Sequence, residues 1–268
     1  MKKIVLSIFC SLLVILVYAQ MAGQIRLKKE IRKVVSWDNY FVGNVEFKNL
    51  SPDTKGAKIY NHIVPDPDKY IKECARKVLQ TLYFTPKDSI PKLENIVYTI
   101  KDYNGISAKS GNGPIIDIVY STRWIEKSFA ENDTAKLNFE TRGVLYHELT
   151  HAYQLEPQGC GSYGDGGVFW TFIEGMADAV RLANGGFTSK DRPKGGTYMD
   201  GYRTTGFFLY WIAQTKDKDF LRKFNHSTLE VIPWSFDAAF KYIFGPSEKF
   251  RVDNLWKEYQ VEMGDIKR

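Results

Sequence analysis

The sequence predicts an α+β fold: an N-terminal mixed sheet with one packed helix, then a site-bearing helix and a helical C-terminal part. Two observations predict it. Short alternating or β-branched runs bounded by Gly, Pro and Asn are confined to the first 120 residues, and helical spacing of apolar residues prevails from 141 onward. Strands first and helices afterwards is the α+β order.

The first strand is Val45-Glu46-Phe47-Lys48-Asn49-Leu50, which alternates apolar and polar and stops at the Ser51-Pro52-Asp53 turn with Gly56. Residues 57–64 read as a second extended piece. After Pro65 and Pro67, the apolar residues Ile71, Cys74, Ala75, Val78, Leu79 and Leu82 recur at helical spacing between Lys and Arg, which predicts an amphipathic helix. Further strands are expected at 96–100 and 115–120, separated by Gly105, Gly111 and Gly113. Helices are expected at 141–155, 168–183, 201–215 and 253–262. There is no internal repeat and no low-complexity tract.

The chain has 268 residues. Met1-Lys2-Lys3 precedes an apolar run from Ile4 to Ala19, and polarity returns at Gln20. This is the pattern of a signal peptide cut after Ala19, too short for the roughly 20 apolar residues that span a bilayer. A secreted or periplasmic protein is expected, with no membrane attachment after cleavage. Residues 20–44 read as a charged leader, 45–262 as one domain and 263–268 as a tail. Formal net charge is +6 with both signs interspersed, a solvated surface and not a nucleic-acid stripe. Cys10 leaves with the signal. Cys74 and Cys160 are too few for a disulfide scaffold, and Cys74, on one helical face with Ile71 and Val78, reads as a buried free thiol. A monomer is expected. Sequon-like triplets begin at Asn132 and Asn225.

The chemistry concentrates in His147-Glu148-Leu149-Thr150-His151. Residues four apart on a helix lie about 6 Å apart along the axis and nearly in line, so two imidazoles can converge on one ion. Glu148 then stands beside the water that the ion activates and serves as general base without being a ligand. With 4 His among 268 residues, chance supplies only about 0.003 such pentads. Val144, Leu145 and Ala152 give this helix an apolar face. A catalytic zinc takes three protein ligands and keeps one position open. The next helix offers the third: Glu174 and Asp178 share a face within an apolar segment, and two buried carboxylates need a cation. Glu174 is therefore assigned as metal ligand and Asp178 as acceptor from a liganding imidazole, His147. A salt bridge from Asp178 to Arg181 is the alternative. Gly175 suits a close helix approach.

An oxyanion needs a further donor. Tyr202 is the first candidate, with Tyr163 and His226 as others, although most of the 16 tyrosines must simply pack. The Gly-rich stretch 158–167 reads as a rim over the cleft and lacks the Lys-Ser or Lys-Thr of a phosphate loop. The 115–120 strand is read either as an exposed edge that takes a peptide by strand addition or as an interior strand.

Gly143-Val144-Leu145-Tyr146-His147-Glu148-Leu149-Thr150-His151-Ala152-Tyr153-Gln154, with Ile173-Glu174-Gly175-Met176-Ala177-Asp178 and Val180-Arg181-Leu182, resembles the basic secretory protein family of plants and bacteria. Support comes from 45–49, 56–61, Gly201-Tyr202 with Thr205, Phe208 and Leu209, Phe244-Gly245, and 255–259. The resemblance implies a zincin-like metallopeptidase with one zinc ion near the thermolysin-like branch, in which a glutamate is the third ligand. Arg203 and Gly206 depart from the family pattern, where an acidic residue and alanine are expected. The function expected is hydrolysis of protein or peptide substrates. The alternative is a non-catalytic secreted cell-surface or glycan-binding protein on the same fold. A structural zinc module would leave Glu148 without a task and would fill all four metal positions.

Overall fold

The computed structural model describes residues 36–128 and 133–267. The expected signal peptide, most of the leader and Asn132 lie outside the described residues. Two units separate at Asn39. Of the first only 36–39 are described, where the Ser36 hydroxyl donates to Asp38 at 2.9 Å. Among the described residues no helix is long and apolar enough to cross a membrane.

The second unit carries a four-stranded sheet in the order β1-β2-β4-β3. Strands β1 (Asn44–Asn49), β2 (Asn95–Lys101) and β4 (Ile115–Ser121) run parallel, and β3 (Ser107–Ser110) lies antiparallel on the outer edge of β4. The β2 run is buried along its centre, as a strand paired on both edges and covered on both faces must be. The 115–120 segment is likewise interior, so the edge reading is corrected. The free edge near the candidate site belongs to β3, whose polar Ser-Ala-Lys-Ser sequence gives no strand signal.

Residues 57–64 also need correction, because they belong to helix α1 (Lys55–Ile63) and its C-terminal cap, Val64. Thr54 caps it by accepting from Ala57 N at 3.2 Å. Gly56, Ala57 and Tyr60 fall on one buried face, a one-plus-four spacing that is helical and not alternating. Tyr60 stacks on Phe47 of β1 at 5.8 Å. Helix α2 (Pro67–Leu82) lies where the periodicity placed it, with Asp66 as its cap.

After the short α3 (Thr122–Ser128), α4 (Thr134–Tyr153) starts seven residues before the expected 141, because Asp133 caps Lys136 N at 3.0 Å. Then follow α5 (Gly167–Ala183), α6 (Tyr202–Thr215), α7 (Phe220–Glu230), α8 (Phe236–Phe244) and α9 (Val252–Glu262). The expected helices match α4, α5, α6 and α9, whereas α3, α7 and α8 were not expected. The aromatic side chains of α7 and α8 build the C-terminal core, where Phe224 packs on Phe172 at 5.4 Å and on Trp234 at 5.4 Å. Asn225 is fully buried, accepts from Leu155 N and donates to Leu82 O. It ties α7 to the end of α4 and is closed to modification in the folded chain.

Helices α5 and α6 approach closely through two glycines. A Cβ on Gly175 would fall 2.4 Å from Thr205 Cγ2, and one on Gly206 would fall 2.8 Å from Asp178 Cβ and 2.9 Å from Ala179 N. This is why glycine stands at 206 in this chain, where the family resemblance led to alanine. Gly206→Ala is expected to destabilise the fold by about 1–3 kcal/mol through overpacking. Chemical denaturation would check it, and unchanged stability would show that the helices separate at no cost.

Candidate metal centre

Helix α4 presents His147 and His151 one turn apart, with ring centroids 4.7 Å apart and planes at 89°. Helix α5, packed beside it, inserts Glu174. The three ligand atoms come together: His147 Nε2 lies 3.0 Å from His151 Nε2 and 3.2 Å from Glu174 Oε2, and His151 Nε2 lies 3.6 Å from that oxygen. These three residues can hold a metal ion. A tetrahedral ion with ligands at about 2.0–2.1 Å sets neighbouring donors about 3.3 Å apart, close to the separations found.

The surrounding contacts aim these atoms. Asp178 Oδ1 accepts from His147 Nδ1 at 2.7 Å, which turns the Nε2 lone pair toward the cluster. Asp178 does not pair with Arg181, which instead reaches Glu140 at 3.2 Å and Gly186 O at 3.0 Å. Gln154, for which the sequence suggested no role, lies with its side-chain amide 3.0 Å from His151 Nδ1, and its Oε1 is buried without a partner. Turning the amide about its last bond lets Oε1 accept from Nδ1–H, leaving His151 Nε2 free as a ligand. Tyr163, from the Gly-rich rim, donates its hydroxyl to Glu174 Oε1 at 2.5 Å.

Glu174 is 2% exposed, and its Oε2 has no hydrogen-bond donor unless an imidazole Nε2 carries a proton. Burial alone would lower the His147 pKa, but the carboxylates of Asp178 and Glu174 lift it to about 10. Burial would raise Glu174, yet hydrogen bonds from His147 and His151 hold it well below the usual carboxylate range. Both directions describe a cavity that demands positive charge among its carboxylates, supplied by a proton or by a cation in its place. Tyr163→Phe is expected to weaken metal binding about 10- to 100-fold, the usual effect of removing a partner that orients a ligand. Competition with a chromophoric chelator would measure it, and an unchanged affinity would make the phenol incidental.

Glu148 faces the same cleft, 5% exposed, and its Oε1 accepts from Ser107 Oγ on β3 at 2.5 Å. Tyr202 opens α6 at φ 40°, the one non-glycine positive φ among the described residues. Its ring lies parallel to the His147 imidazole at 6.0 Å and edge-on to Trp170 at 5.5 Å. A tyrosine held in that sparsely allowed region, with 46% of its surface open, stores strain beside the candidate metal centre. Burial raises its pKa, as do Glu174 and other nearby carboxylates, so the phenol keeps its proton at neutral pH. His226 is exposed on α7, where it meets Glu230 at 3.4 Å, and is not part of the cleft lining. Cys74 is fully buried and unpaired, its thiol pushed up to about 12 by burial, and Cys160 is also a free thiol.

The cleft encloses about 450 Å³. Ser107, Lys109, Asn112, Gln154 and Glu156 make part of its wall polar, and Phe169, Ile173 and the two tyrosines supply apolar surface. Ser107 and Lys109 were missed by sequence reasoning, and no local pattern marks them.

A family model described as "Peptidase of plants and bacteria" matches residues 42–259. No curated protein and no solved structure gives a significant match.

Proposed function

Since the chain belongs to the basic secretory protein family, the peptidases of plants and bacteria, we propose that it is an exported, zinc-dependent metallopeptidase acting on proteins or peptides. The observation that carries the metal reading is the triangle of His147 Nε2, His151 Nε2 and Glu174 Oε2, spaced as one face of a tetrahedron, with the carboxylate oxygen buried and facing only the two imidazoles. Two imidazoles with one carboxylate favour zinc over magnesium or calcium, which take mainly oxygen ligands. Zinc bound there supplies a Lewis acid that polarises the scissile carbonyl and acidifies the attacking water.

The chain's own groups do the rest. Glu148 removes the proton from the attacking water and returns it to the leaving amine. Ser107 holds one carboxylate oxygen of Glu148, which lines the cleft, and leaves the other free to take the proton. Tyr202 is the assigned donor to the oxyanion, its phenol facing the cleft over His147, whereas Tyr163 is engaged with the ligand Glu174. The substrate lies along β3, an edge strand on which no further strand is paired among the described residues. Its main-chain groups there receive an extended peptide.

Two experiments follow. Purified protein should hydrolyse quenched peptides, lose that activity to a chelator and regain it with added zinc. Hydrolysis that persists after zinc is removed, or no hydrolysis with zinc bound, rejects the proposal. Ser107→Ala should lower kcat about 10- to 100-fold, the worth of one hydrogen bond to a charged group. KM and zinc content should hold, and Ser107→Thr should restore most of the rate. Equal kcat in Ser107→Ala and wild type would mean that Glu148 is held by other contacts.

A further inference from the structure

Lys109 sits two residues beyond Ser107 on β3, and the alternating burial of this strand turns both side chains to its inner face. Ser107 marks the level of the scissile bond, because it touches Glu148. Two residues of strand advance about 6.6–6.8 Å, so Lys109 stands about two substrate residues away along the same rail. It lines the cleft and is partly buried. Among the described residues its ammonium makes no hydrogen bond and no ion pair.

A cation withdrawn from water without a partner is unfavourable, and a carboxylate placed opposite relieves it. We propose that Lys109 is a specificity residue that recognises a substrate carboxylate about two residues from the bond cleaved. The carboxylate belongs either to an acidic side chain or to a free C-terminus, the chemistry being shared. The inference rests on the peptidase reading above.

Glu148 and Glu156 are the acidic residues facing Lys109. Burial pushes the lysine pKa down, and these two carboxylates favour its charged form. Neither neutralises it directly. Glu148 is held by Ser107, and Glu156 is exposed, so water screens its attraction. Asn112 and Gln154, the neighbouring polar residues of the wall, carry no charge. Among the described residues Lys109 is the one lysine or arginine lining this cleft.

The test uses zinc-loaded protein and quenched peptides in which one Glu, or one Gln, is moved from three residues before the cleaved bond to three after it. A second set of short peptides ends in a free acid or an amide. Wild type should favour the carboxylate about five- to tenfold in kcat/KM at one position, as an ion pair in a partly solvated cleft allows. The acid and amide pairs tell a side chain from a terminus. Lys109→Met should erase the preference, and Lys109→Glu should turn it toward peptides with Lys at that position, both with full zinc content. Retention of the preference in Lys109→Met overturns the inference, as does a wild type that cleaves Glu and Gln peptides equally while remaining an active peptidase. A wild type that cleaves no peptide removes the peptidase reading and this inference with it.

Discussion

Glu148→Gln is expected to lower kcat about 10²- to 10⁴-fold, the range for loss of a general base. Zinc content and fold should stay unchanged. The substitution keeps shape and can still accept from Ser107 through its carbonyl oxygen, so geometry at the 2.5 Å contact survives while basicity is lost. Glu148 is not among the three clustered donors, so the metal should remain. Titration of bound zinc beside steady-state kinetics separates the two effects. A Gln variant with wild-type turnover would remove the mechanism, and a loss of zinc together with activity would recast Glu148 as a structural part of the site. If wild type and variant both fail to hydrolyse peptides yet bind cell-wall glycans, the non-catalytic alternative takes over.

Removal of the proposed third ligand should have an effect as large. Glu174→Ala deletes the oxygen that lies 3.2 Å and 3.6 Å from the two imidazoles. It also strands the Tyr163 hydroxyl, which donates to that carboxylate at 2.5 Å. Zinc affinity should fall by more than about 100-fold, beyond the upper end for loss of an outer partner, and hydrolysis should fall with it at ordinary zinc concentrations. Asp178→Asn should fall less, because the imidazole stays in place and loses only the charge behind it. Chelator competition on the two variants ranks them, and the reverse order would make Asp178 and not Glu174 the ligand.

The centre was legible because its parts are local. His147, Glu148 and His151 declare themselves by spacing on one helix, and Glu174 with Asp178 by two carboxylates on the buried face of the next. Contacts between elements were not legible. Ser107 and Lys109 lie on a four-residue polar strand that exists as such by pairing with β4. The role of Gln154 depends on where the His151 ring turns, and that of Tyr163 on how the glycine-rich rim folds back over α5. The strain at Tyr202 is a backbone property with no signature in residue type.

The same division holds for the fold. Helices with a regular apolar stripe, such as α2, were placed within a few residues. Residues 57–64 hold Ile59, Tyr60, Ile63 and Val64, which favour strands, whereas the Thr54 cap and the burial of Ala57 with Tyr60 decide for helix α1. Helices α7 and α8 are short and rich in phenylalanine, with weak intrinsic preference, and their packing on Phe172 and Trp234 holds them. Gly206 reads as a family departure until the backbone of α5 is seen against it.

The most direct measurement is zinc K-edge X-ray absorption, with anomalous diffraction, on protein purified without added chelator. The expected result is one zinc per chain, with two imidazole nitrogens and a carboxylate oxygen at about 2.0–2.2 Å and anomalous density between His147, His151 and Glu174. Density elsewhere, or a metal bound without Glu174, would contradict it.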